Sequence, residues 1–479
     1  MTIAGSEGAL GRTRLPPPAG RQSDVVYLDA ERDQVVLGTA GSGKTLMAIH
    51  RAVYLSDPRF DHSGRTLLVT YNRSLVSYLN HLAGSGSGVL DIRNYHTVAR
   101  GYLASRGLFN GYGLVVQGRK RSAYLAEARV KVADRYEGHR FFQRPTDFFL
   151  DELDWISGHG YAERAAYLSA ERVGRLAPLG RRQREVMWEV REEYLAIRAA
   201  GGEKFDWWEL PTAVRRALID DESPRIYKHI VIDEGQDLPP EAIRSLAEML
   251  APGGSITMFA DYAQQLYGQR TSFVSCGLRI LKVEEFRENY RNSVGIAQLA
   301  IATAALPHFT DSTDLVTPNS PKVAGTPPTL FRASDNASEL AAVRTQAQEL
   351  SKTGSVAILG RTWANARHFA KGLLGVHQLD EDSHIWTGEA GIYIGTYHSA
   401  KGLEFDAVIL PWVDASVMPD RAQVEAFGEA EALERDARLL YVGITRARSE
   451  LLATYTEDLT ELLPAADSGF WLKTGVETP

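Results

Sequence analysis

The stretch that decides the fold lies near the N-terminus and reads Gly38-Thr39-Ala40-Gly41-Ser42-Gly43-Lys44-Thr45. An apolar run, QVVL, precedes it, and a helical pattern, LMAIHRAVYL, follows it. The eight residues fit the P-loop pattern G-x-x-x-x-G-K-[ST], in which glycines let backbone N–H groups turn inward around phosphate oxygens. A glycine-rich helix cap is the alternative, but the flanking strand and helix favour the P-loop. We therefore predict that 38–45 bind phosphates, with Lys44 at the β- and γ-phosphates and the Thr45 hydroxyl on Mg²⁺.

An acidic pair ends a second apolar run, Ile230-Val231-Ile232-Asp233-Glu234. Most Asp-Glu pairs are solvated caps, but a P-loop needs a carboxylate partner at the end of a buried strand. Asp233 would hold Mg²⁺ through water, and Glu234 would orient and deprotonate the attacking water. The two stretches together predict a nucleotide-hydrolysing site.

The composition restricts the class of protein further. The chain has 479 residues, which suits about two to four domains. Its formal charge is −7, so any anion-binding surface must be local. Its one cysteine, Cys276, cannot form an internal disulfide or a four-cysteine metal site, which favours a reducing compartment. No apolar run reaches the roughly 18 residues of a membrane span, and we expect a soluble cytoplasmic protein without a membrane partner.

Short apolar runs rich in β-branched residues alternate with longer helical patterns along most of the chain. The runs that predict buried strands are 35–37, 66–70, 229–232, 256–259, 356–359, 392–396, 407–410 and 451–455. Their alternation with helices is typical of parallel sheets covered on both faces, and therefore of the α/β class. Residues 101–201 are almost entirely helical in pattern, which predicts an α-helical insertion.

Further segments resemble the motifs of superfamily 1 helicases of the UvrD/Rep class. Residues 233–237 (DEGQD) are similar to the DExQD box, and residues 260–264 (ADYAQ) are similar to the GDxxQ motif. Residues 288–291 (ENYR) resemble the NYR motif. Residues 396–405 (TYHSAKGLEF) match TxHxxKGLEF, and 441–447 (YVGITRA) match YVxxTRA. These segments occur in the family's order between about residues 22 and 448, which is nearly the whole chain.

The resemblance implies two RecA-like P-loop NTPase lobes, each a parallel sheet flanked by helices, with an α-helical insertion in the first lobe. We predict a flexible leader at 1–20, a first lobe at 21–100 and 202–280, an insertion at 101–201, and a second lobe at 281–479. The site for ATP and Mg²⁺ would lie between the lobes. Such a site closes only when ATP is bound, which converts hydrolysis into lobe movement.

The resemblance also implies roles for residues beyond the P-loop. Arg291 and Arg446 would bring positive charge to the γ-phosphate, where an arginine finger is worth about 10³–10⁵ in rate. Taken singly, each arginine could instead be a surface ion-pair partner. The other implied roles are sensing of the γ-phosphate by Gln264, adenine binding by Gln22 and Tyr290, and coupling of nucleotide state to the strand by Gly402 and Glu404.

Helicases of this class hold single-stranded DNA across both lobes, through donors to backbone phosphates and aromatic platforms for bases. The candidates for this track are Tyr71, Asn72, His96, Thr97, Tyr267 and His398. An ordinary loop or core role is the alternative for each. Residues 117–144 hold eight Lys or Arg and three Asp or Glu, so the insertion offers either a basic footprint for DNA or a solvated helix face.

Three features depart from the family pattern. Gln269 stands where relatives often have a base-stacking tryptophan, and Leu46 stands where an arginine often follows the P-loop threonine. Residues 375–391 are too short for the subdomain that larger relatives insert there. The resemblance is therefore to a compact helicase core, which we expect to translocate well and to unwind duplexes poorly without a partner.

The leading hypothesis is an ATP-dependent translocase or helicase of the 3′→5′ type, acting on single-stranded DNA or tailed duplexes. Its setting would be DNA repair or antiviral defence with a protein partner such as a nuclease. The polarity rests on the resemblance alone. One alternative is a nucleotide-gated clamp on DNA or protein with little motor activity. Another is an RNA motor, which would respond to the 2′-OH that only RNA carries.

Overall fold

We analysed a computed structural model of the chain. It describes residues 17–39, 41–70, 89–111, 114–136, 138–172, 175, 177–261, 273–289, 292–309, 326–379 and 388–476. The α-helices within these residues are α1 (Gln22–Val26), α2 (Lys44–Ser56), α3 (Tyr95–Ser105), α4 (Gly118–Ala133), α5 (Thr146–His159), α6 (Arg164–Ser169), α7 (Arg181–Ala200), α8 (Leu210–Ile219), α9 (Pro240–Glu248), α10 (Val294–Ala304), α11 (Asn336–Leu350), α12 (Trp363–Ala370), α13 (Arg421–Phe427) and α14 (Glu429–Thr445).

The first α/β body is built on a sheet of six parallel strands. They are β1 (Gln34–Gly38), β2 (Thr66–Thr70), β3 (Leu90–Asn94), β6 (Tyr227–Ile232), β7 (Leu250–Ala260) and β8 (Val283–Phe286). Their order across the sheet is β3-β2-β6-β7-β1-β8. Because the strands are parallel, their carboxyl ends share one edge, which places the P-loop after β1 close to the acidic pair after β6.

Side chains of this sheet alternate between two helical layers, as the pleat of a strand requires. Val35 and Leu37 pack in the core with α3, α8 and α9, whereas Val36 packs on the other face with α1 and α2. Burial on both faces explains why β1 and β2 are continuous apolar runs with no polar alternation.

The helical insertion is formed mainly by α4–α7. A short parallel ribbon, β4 (Val115–Val116) with β5 (Phe205–Asp206), lies where the chain enters and leaves it. Its core is aromatic, and Trp155, Tyr167 and Tyr194 are all nearly or completely buried. The insertion therefore has a hydrophobic core of its own.

The second α/β body is built on seven parallel strands in the order β11-β12-β10-β13-β14-β9-β15. They are β9 (Thr329–Arg332), β10 (Ser355–Gly360), β11 (Val376–Gln378), β12 (Gly391–Thr396), β13 (Phe405–Leu410), β14 (Ala447–Tyr455) and β15 (Leu472–Gly475). Helices α10 and α14 cover one face, and α11 and α12 cover the other. The predicted α/β class with two parallel-sheet bodies is confirmed.

All eight predicted strands are present, but one predicted domain boundary needs correction. Strand β8 lies beyond residue 280, yet it pairs in parallel with β1 at the edge of the first sheet, with Val35 opposite Val283. The sequence Val283-Glu284-Glu285-Phe286 lacks an apolar run because an edge strand is only half covered. The first sheet therefore continues to Phe286, directly before the 288–291 segment.

Within the described residues, no helix combines the length and the apolar character that crossing a bilayer requires.

Candidate nucleotide-binding site

The P-loop between β1 and α2 is tightly enclosed at its glycines. Gly41 has φ +75° and Gly43 has φ +81°, a region that favours glycine. A Cβ on Gly41 would lie 2.3 Å from Asn289 Oδ1 and 2.5 Å from Asn292 Oδ1, and one on Gly43 would lie 2.5 Å from Gln22 Nε2. Both glycines are thus favoured by backbone conformation, and a Cβ at either position would displace a neighbouring amide side chain.

Two hydroxyls of the loop lack partners. Within the described residues, Thr39 Oγ1 and Ser42 Oγ are buried and form no hydrogen bond. A buried hydroxyl without a partner carries a desolvation penalty, so such groups call for a ligand. Phosphate oxygens would satisfy both.

Lys44 is bound within the protein. Its Nζ donates to the carbonyl oxygens of Gly38 at 3.0 Å and Thr39 at 2.8 Å, and it forms an ion pair with Asp261 Oδ2 at 3.0 Å. The side chain is only 7% exposed. The positive charge at the P-loop is therefore neutralised by Asp261, and a phosphate would compete for it.

Asp233, at the end of β6, is buried with both carboxylate oxygens free of hydrogen bonds from the described residues. Burial raises its pKa to about 7, the charge of Glu234 adds to the rise, and Thr45 and Lys44 oppose it. Bare carboxylate oxygens beside a threonine hydroxyl are the ligand type that Mg²⁺ prefers. These residues fit a magnesium site.

Glu234 has an unusual backbone and a stabilised charge. Its φ of 53° and ψ of 43° are left-handed, a conformation that costs a non-glycine residue about 1–3 kcal/mol and clusters at functional sites. Burial alone would raise its pKa, but the charges of Lys401 and Lys44, a hydrogen bond from Gln236, and Arg446 outweigh burial and lower it. Glu234 is therefore ionised at neutral pH.

Gln236 links the acidic pair to the P-loop lysine. Its Nε2 donates to Glu234 Oε2, and its Oε1 accepts from the backbone N–H of Asp261 at 2.9 Å. Because Asp261 also pairs with Lys44, one continuous network joins the ends of β1, β6 and β7.

The second body contributes Lys401 to this network. Lys401, in the loop between β12 and β13, forms an ion pair with Asp237 at 2.5 Å, and both side chains are under 10% exposed. Burial raises the pKa of Asp237 to about 6 against the effect of Lys401. This pair connects the two bodies directly.

Arg446, at the C-terminal end of α14, is almost fully buried. Its Nε donates to Val442 O at 3.0 Å, and one terminal nitrogen donates to Thr445 Oγ1 at 3.1 Å. Its charge lowers the pKa of Glu234, so the guanidinium lies on the cleft side of the second body.

Asn292 ties the segment after β8 to the end of α14. Its Nδ2 donates to Ala447 O at 2.6 Å and to Thr445 O at 3.3 Å, on either side of Arg446. Asn289 donates to Asn292 Oδ1 at 3.1 Å. Since both asparagines also border Gly41, they connect the P-loop with the Arg446 segment.

Gln22, the predicted adenine-binding glutamine, lies against the P-loop. Its Nε2 donates to Ser42 O at 2.9 Å, and its Oε1 accepts from Ala19 N at 2.8 Å. These two bonds fix the orientation of the amide beside the phosphate loop.

Of the other residues predicted to bind nucleotide, some lie within the described residues and others lie outside them. Gly402, with φ +81°, and Glu404 lie in the loop that follows Lys401. The predicted site residues outside the described residues are Ala40, Tyr71, Asn72, Gln264, Tyr267, Tyr290 and Arg291. Their assignments stay predictions, as does the departure at Gln269, which is also outside.

The described DNA candidates lie near helix starts and turns. The His96 ring lies 5.0 Å from the Trp207 ring, and Thr97 N and Oγ1 both donate to Asn94 Oδ1, which caps α3. His398 lies after β12 with an exposed side chain, and partial desolvation together with the nearby positive charges of Arg361, Lys401 and Arg435 lowers its pKa. His398 is therefore neutral at physiological pH.

Four of the eight basic residues in 117–144 form ion pairs with acidic side chains. Lys120 pairs with Glu203, Arg121 with Asp154 and Asp206, Lys131 with Glu127 and Glu193, and Arg135 with Glu189 and Glu193. Acidic side chains mostly from later elements supply the partners. This pairing favours the solvated or structural face over the basic footprint.

Sequence reasoning assigned no role to Gln236, Asp237, Asp261, Asn292 or Lys401. The first three and Lys401 lie inside the quoted motif segments, and Asn292 directly follows one. Membership in those segments was a usable signal. Their pairing across the chain was not, because Lys401 and Asp237 are 164 positions apart.

Comparisons with known proteins agree with the motifs. The model of the UvrD-like helicase C-terminal domain family matches residues 376–458. A protein named probable DNA helicase II homolog, from Rickettsia conorii, is 46% identical over 66 residues, covering 14% of this chain and 10% of that relative. The ATP-dependent DNA helicase PcrA of Bacillus subtilis is 44% identical over 80 residues, covering 16% of this chain and 10% of PcrA.

A longer similarity extends along most of the chain. The ATP-dependent DNA helicase UvrD2 of Mycobacterium tuberculosis is 23% identical over 545 aligned residues, covering 88% of this chain and 76% of UvrD2. A solved C-terminal domain of a possible DNA helicase from Lactobacillus plantarum is 20% identical and covers 38% of this chain and 98% of that domain, with a TM-score of 0.28. The match to the Rickettsia relative thus spans about a tenth of its length, and the match to UvrD2 about three-quarters. Together with the ordered motifs, the matches make the chain similar to UvrD/Rep-like superfamily 1 helicases, and residues 376–458 match the model of their C-terminal domain.

Proposed function

We propose that the protein is an ATP-dependent single-stranded DNA translocase or helicase of the 3′→5′ type. The observation that carries the proposal is the buried ion pair between Lys401 of the second body and Asp237 of the first, which brings the positive charge of Lys401 close enough to Glu234 to lower its pKa. Hydrolysis in a site shared in this way depends on how the two bodies are placed. Movement of the bodies and hydrolysis are then coupled.

In the first body, the bare oxygens of Asp233 and the Thr45 hydroxyl would hold Mg²⁺. Bound Mg²⁺·ATP supplies the phosphoanhydride bond and the divalent charge that stabilises the leaving phosphate. Lys44 would exchange Asp261 for the β- and γ-phosphate oxygens, and Glu234 would accept the proton of the attacking water. Gln264 would sense the presence of the γ-phosphate.

Arg446 of the second body, together with Arg291, would stabilise the charge that develops on the transferred group. Gln22 and Tyr290 would hold the adenine. Gly402 and Glu404 follow Lys401 in one loop, so a shift of that loop would connect nucleotide state with the DNA strand.

The DNA would run over both bodies. Tyr71, Asn72, His96 and Thr97 are the candidates on the first body and His398 is the candidate on the second, together with Tyr267. Because His398 is neutral at physiological pH, it would contribute stacking or a neutral hydrogen bond. A role in DNA repair or antiviral defence, with a nuclease partner, belongs to this proposal.

The first test is ATP hydrolysis with and without single-stranded DNA. The motor predicts strong stimulation by DNA, with a smaller effect of RNA of the same sequence. A slow rate that is indifferent to DNA would support the nucleotide-gated clamp, and preferential stimulation by RNA would support an RNA motor.

The second test is strand displacement on duplexes with a 3′ or a 5′ tail. We expect displacement only from the 3′ tail, and only over short duplexes, because 375–391 leave no room for an inserted subdomain. Processive unwinding of long duplexes by the protein alone would contradict the need for a partner.

A further inference from the structure

The insertion of the first body is packed against the second body, away from the nucleotide cleft. Phe427, the last residue of α13, is only 5% exposed and belongs to the insertion's hydrophobic core. Its ring centroid lies 6.2 Å from that of Phe148 in α5. The Arg435 guanidinium of α14 lies 3.8 Å from the Phe427 ring centroid and covers it.

Charged groups complete this contact. Glu431 of α14 accepts from the backbone N–H of Ala177 at 2.7 Å, and it lies 3.7 Å from Arg175 of the insertion. Arg435 donates to Asp151 at 2.9 Å and to Glu431 at 2.6 Å. Glu431 and Arg175 are 4% and 5% exposed, so these pairs are largely shielded from solvent.

The same helix carries Arg446 at its other end. Helix α14 runs without a break from Glu429 to Thr445, a length of about 25 Å at 1.5 Å per residue. The contact with the insertion involves its first two turns, and Arg446 directly follows its last residue. A rotation of the N-terminal end therefore moves the guanidinium relative to Glu234.

We propose that Glu431 and Arg435 are positioning residues for Arg446, through which the insertion of the first body holds α14 in the orientation that presents the guanidinium to the cleft. The proposal rests on the proposed ATPase. It adds a second attachment between the bodies, distinct from the Lys401–Asp237 pair. Turnover then depends on a contact that touches no nucleotide.

Steady-state ATPase assays of Arg435→Gln and Glu431→Gln test this assignment. We expect kcat to fall about tenfold, within the roughly 5–150-fold range typical of coupling between sites, while KM for ATP changes less than about twofold. Arg435→Lys keeps the charge and should recover most of kcat. The matched control is Arg421→Gln in α13, whose partner Glu425 is exposed, and it should behave as wild type.

A distance measurement separates this proposal from the ATPase itself. Spin labels at Glu163→Cys in the insertion and Glu425→Cys in α13 would report the contact, because Cys276 is buried and burial raises its thiol pKa to about 11. We expect a narrow distance distribution that Arg435→Gln broadens. An unchanged distribution, an unchanged kcat, or equal losses in kcat and in ATP affinity would each overturn the assignment.

A chain without any ATPase activity would overturn the proposed function, and with it the role given to Arg446. The label distances would still decide whether Arg435 holds α14 against the insertion.

Discussion

Two clusters of buried carboxylates in this molecule are satisfied to very different degrees. In the insertion, Glu152 is fully buried and accepts from Tyr167 at 2.8 Å and from Arg172 and Arg175. In the cleft, Asp233 is equally buried, and the described residues give neither of its oxygens a hydrogen bond. The Glu152 carboxylate therefore has its partners within the folded chain, whereas the Asp233 carboxylate needs a ligand to supply them.

This contrast distinguishes a carboxylate that stabilises the fold, Glu152, from a carboxylate that is available to bind a ligand, Asp233. Unsatisfied buried groups cost stability, so their retention indicates a function that supplies the missing partner. The same criterion applies to Thr39 and Ser42 in the P-loop. In the cleft, this criterion agrees with the motifs.

The largest expected effect is that of Lys44→Ala. This change removes the charge that would neutralise the β- and γ-phosphates, and we expect ATP turnover to be abolished. Phosphate release is the measurement. The matched control is Lys120→Ala, whose side chain is 55% exposed and pairs with Glu203, and it should retain normal turnover. Normal kcat in Lys44→Ala would remove the cleft from consideration as the active site.

Arg446→Ala should be nearly as severe for turnover but not for binding. An arginine that stabilises charge only in the transition state lowers kcat by on the order of 10³ when removed. Nucleotide affinity, measured with a fluorescent ATP analogue, should be largely retained. An effect confined to KM would show that Arg446 binds the ground state.

Glu152→Gln tests the satisfied cluster. It leaves the buried Arg172 without its charged partner, although Arg175 keeps Asp151 and Glu431, and breaking a buried pair typically costs about 3–5 kcal/mol of stability. Denaturant unfolding should show this loss. Arg181→Ala, which breaks an exposed pair with Glu185, should change stability by less than about 1 kcal/mol. Equal losses of stability in Glu152→Gln and Arg181→Ala would contradict the distinction between the buried cluster and an exposed ion pair.

Asp233→Asn should stabilise the folded protein, whereas Glu152→Gln should destabilise it. The folded-state pKa of Asp233 is raised to about 7, so the folded chain binds more protons than the unfolded chain between about pH 4 and 7. The contribution of Asp233 to stability therefore falls as pH rises through that window. At pH 8, Asp233→Asn should raise the free energy of unfolding by up to about 4 kcal/mol while abolishing Mg²⁺-dependent hydrolysis. A destabilised Asp233→Asn protein at pH 8 would show that the carboxylate has partners after all.

Much of the fold follows from local patterns. The strands that run through the sheet centres are apolar on both faces, so β1, β2 and β10 stand out as uninterrupted runs. Edge strand β8 does not, because its glutamates face solvent in part. The P-loop and acidic pair are local as well, since each needs only a strand and the turn that follows.

The pairings that assemble the site are not local. Neither Lys401 with Asp237 nor Asn292 with the backbone around Arg446 has a signal within its own segment, because each depends on how distant elements pack. The packing of Phe427 in the hydrophobic core of the insertion also depends on contacts between distant elements. The sequence alone therefore identifies the motif segments but does not predict the contacts between them.

The pairing of Lys44 with Asp261 has a consequence for the end of each cycle of the proposed ATPase. After product release, the ammonium group could return to a carboxylate 3.0 Å away, and the emptied pocket would hold no uncompensated cation. The pocket would then retain inorganic phosphate less strongly than one with a bare lysine. An internal counter-ion of this kind would ease the departure of one nucleotide before the next one binds.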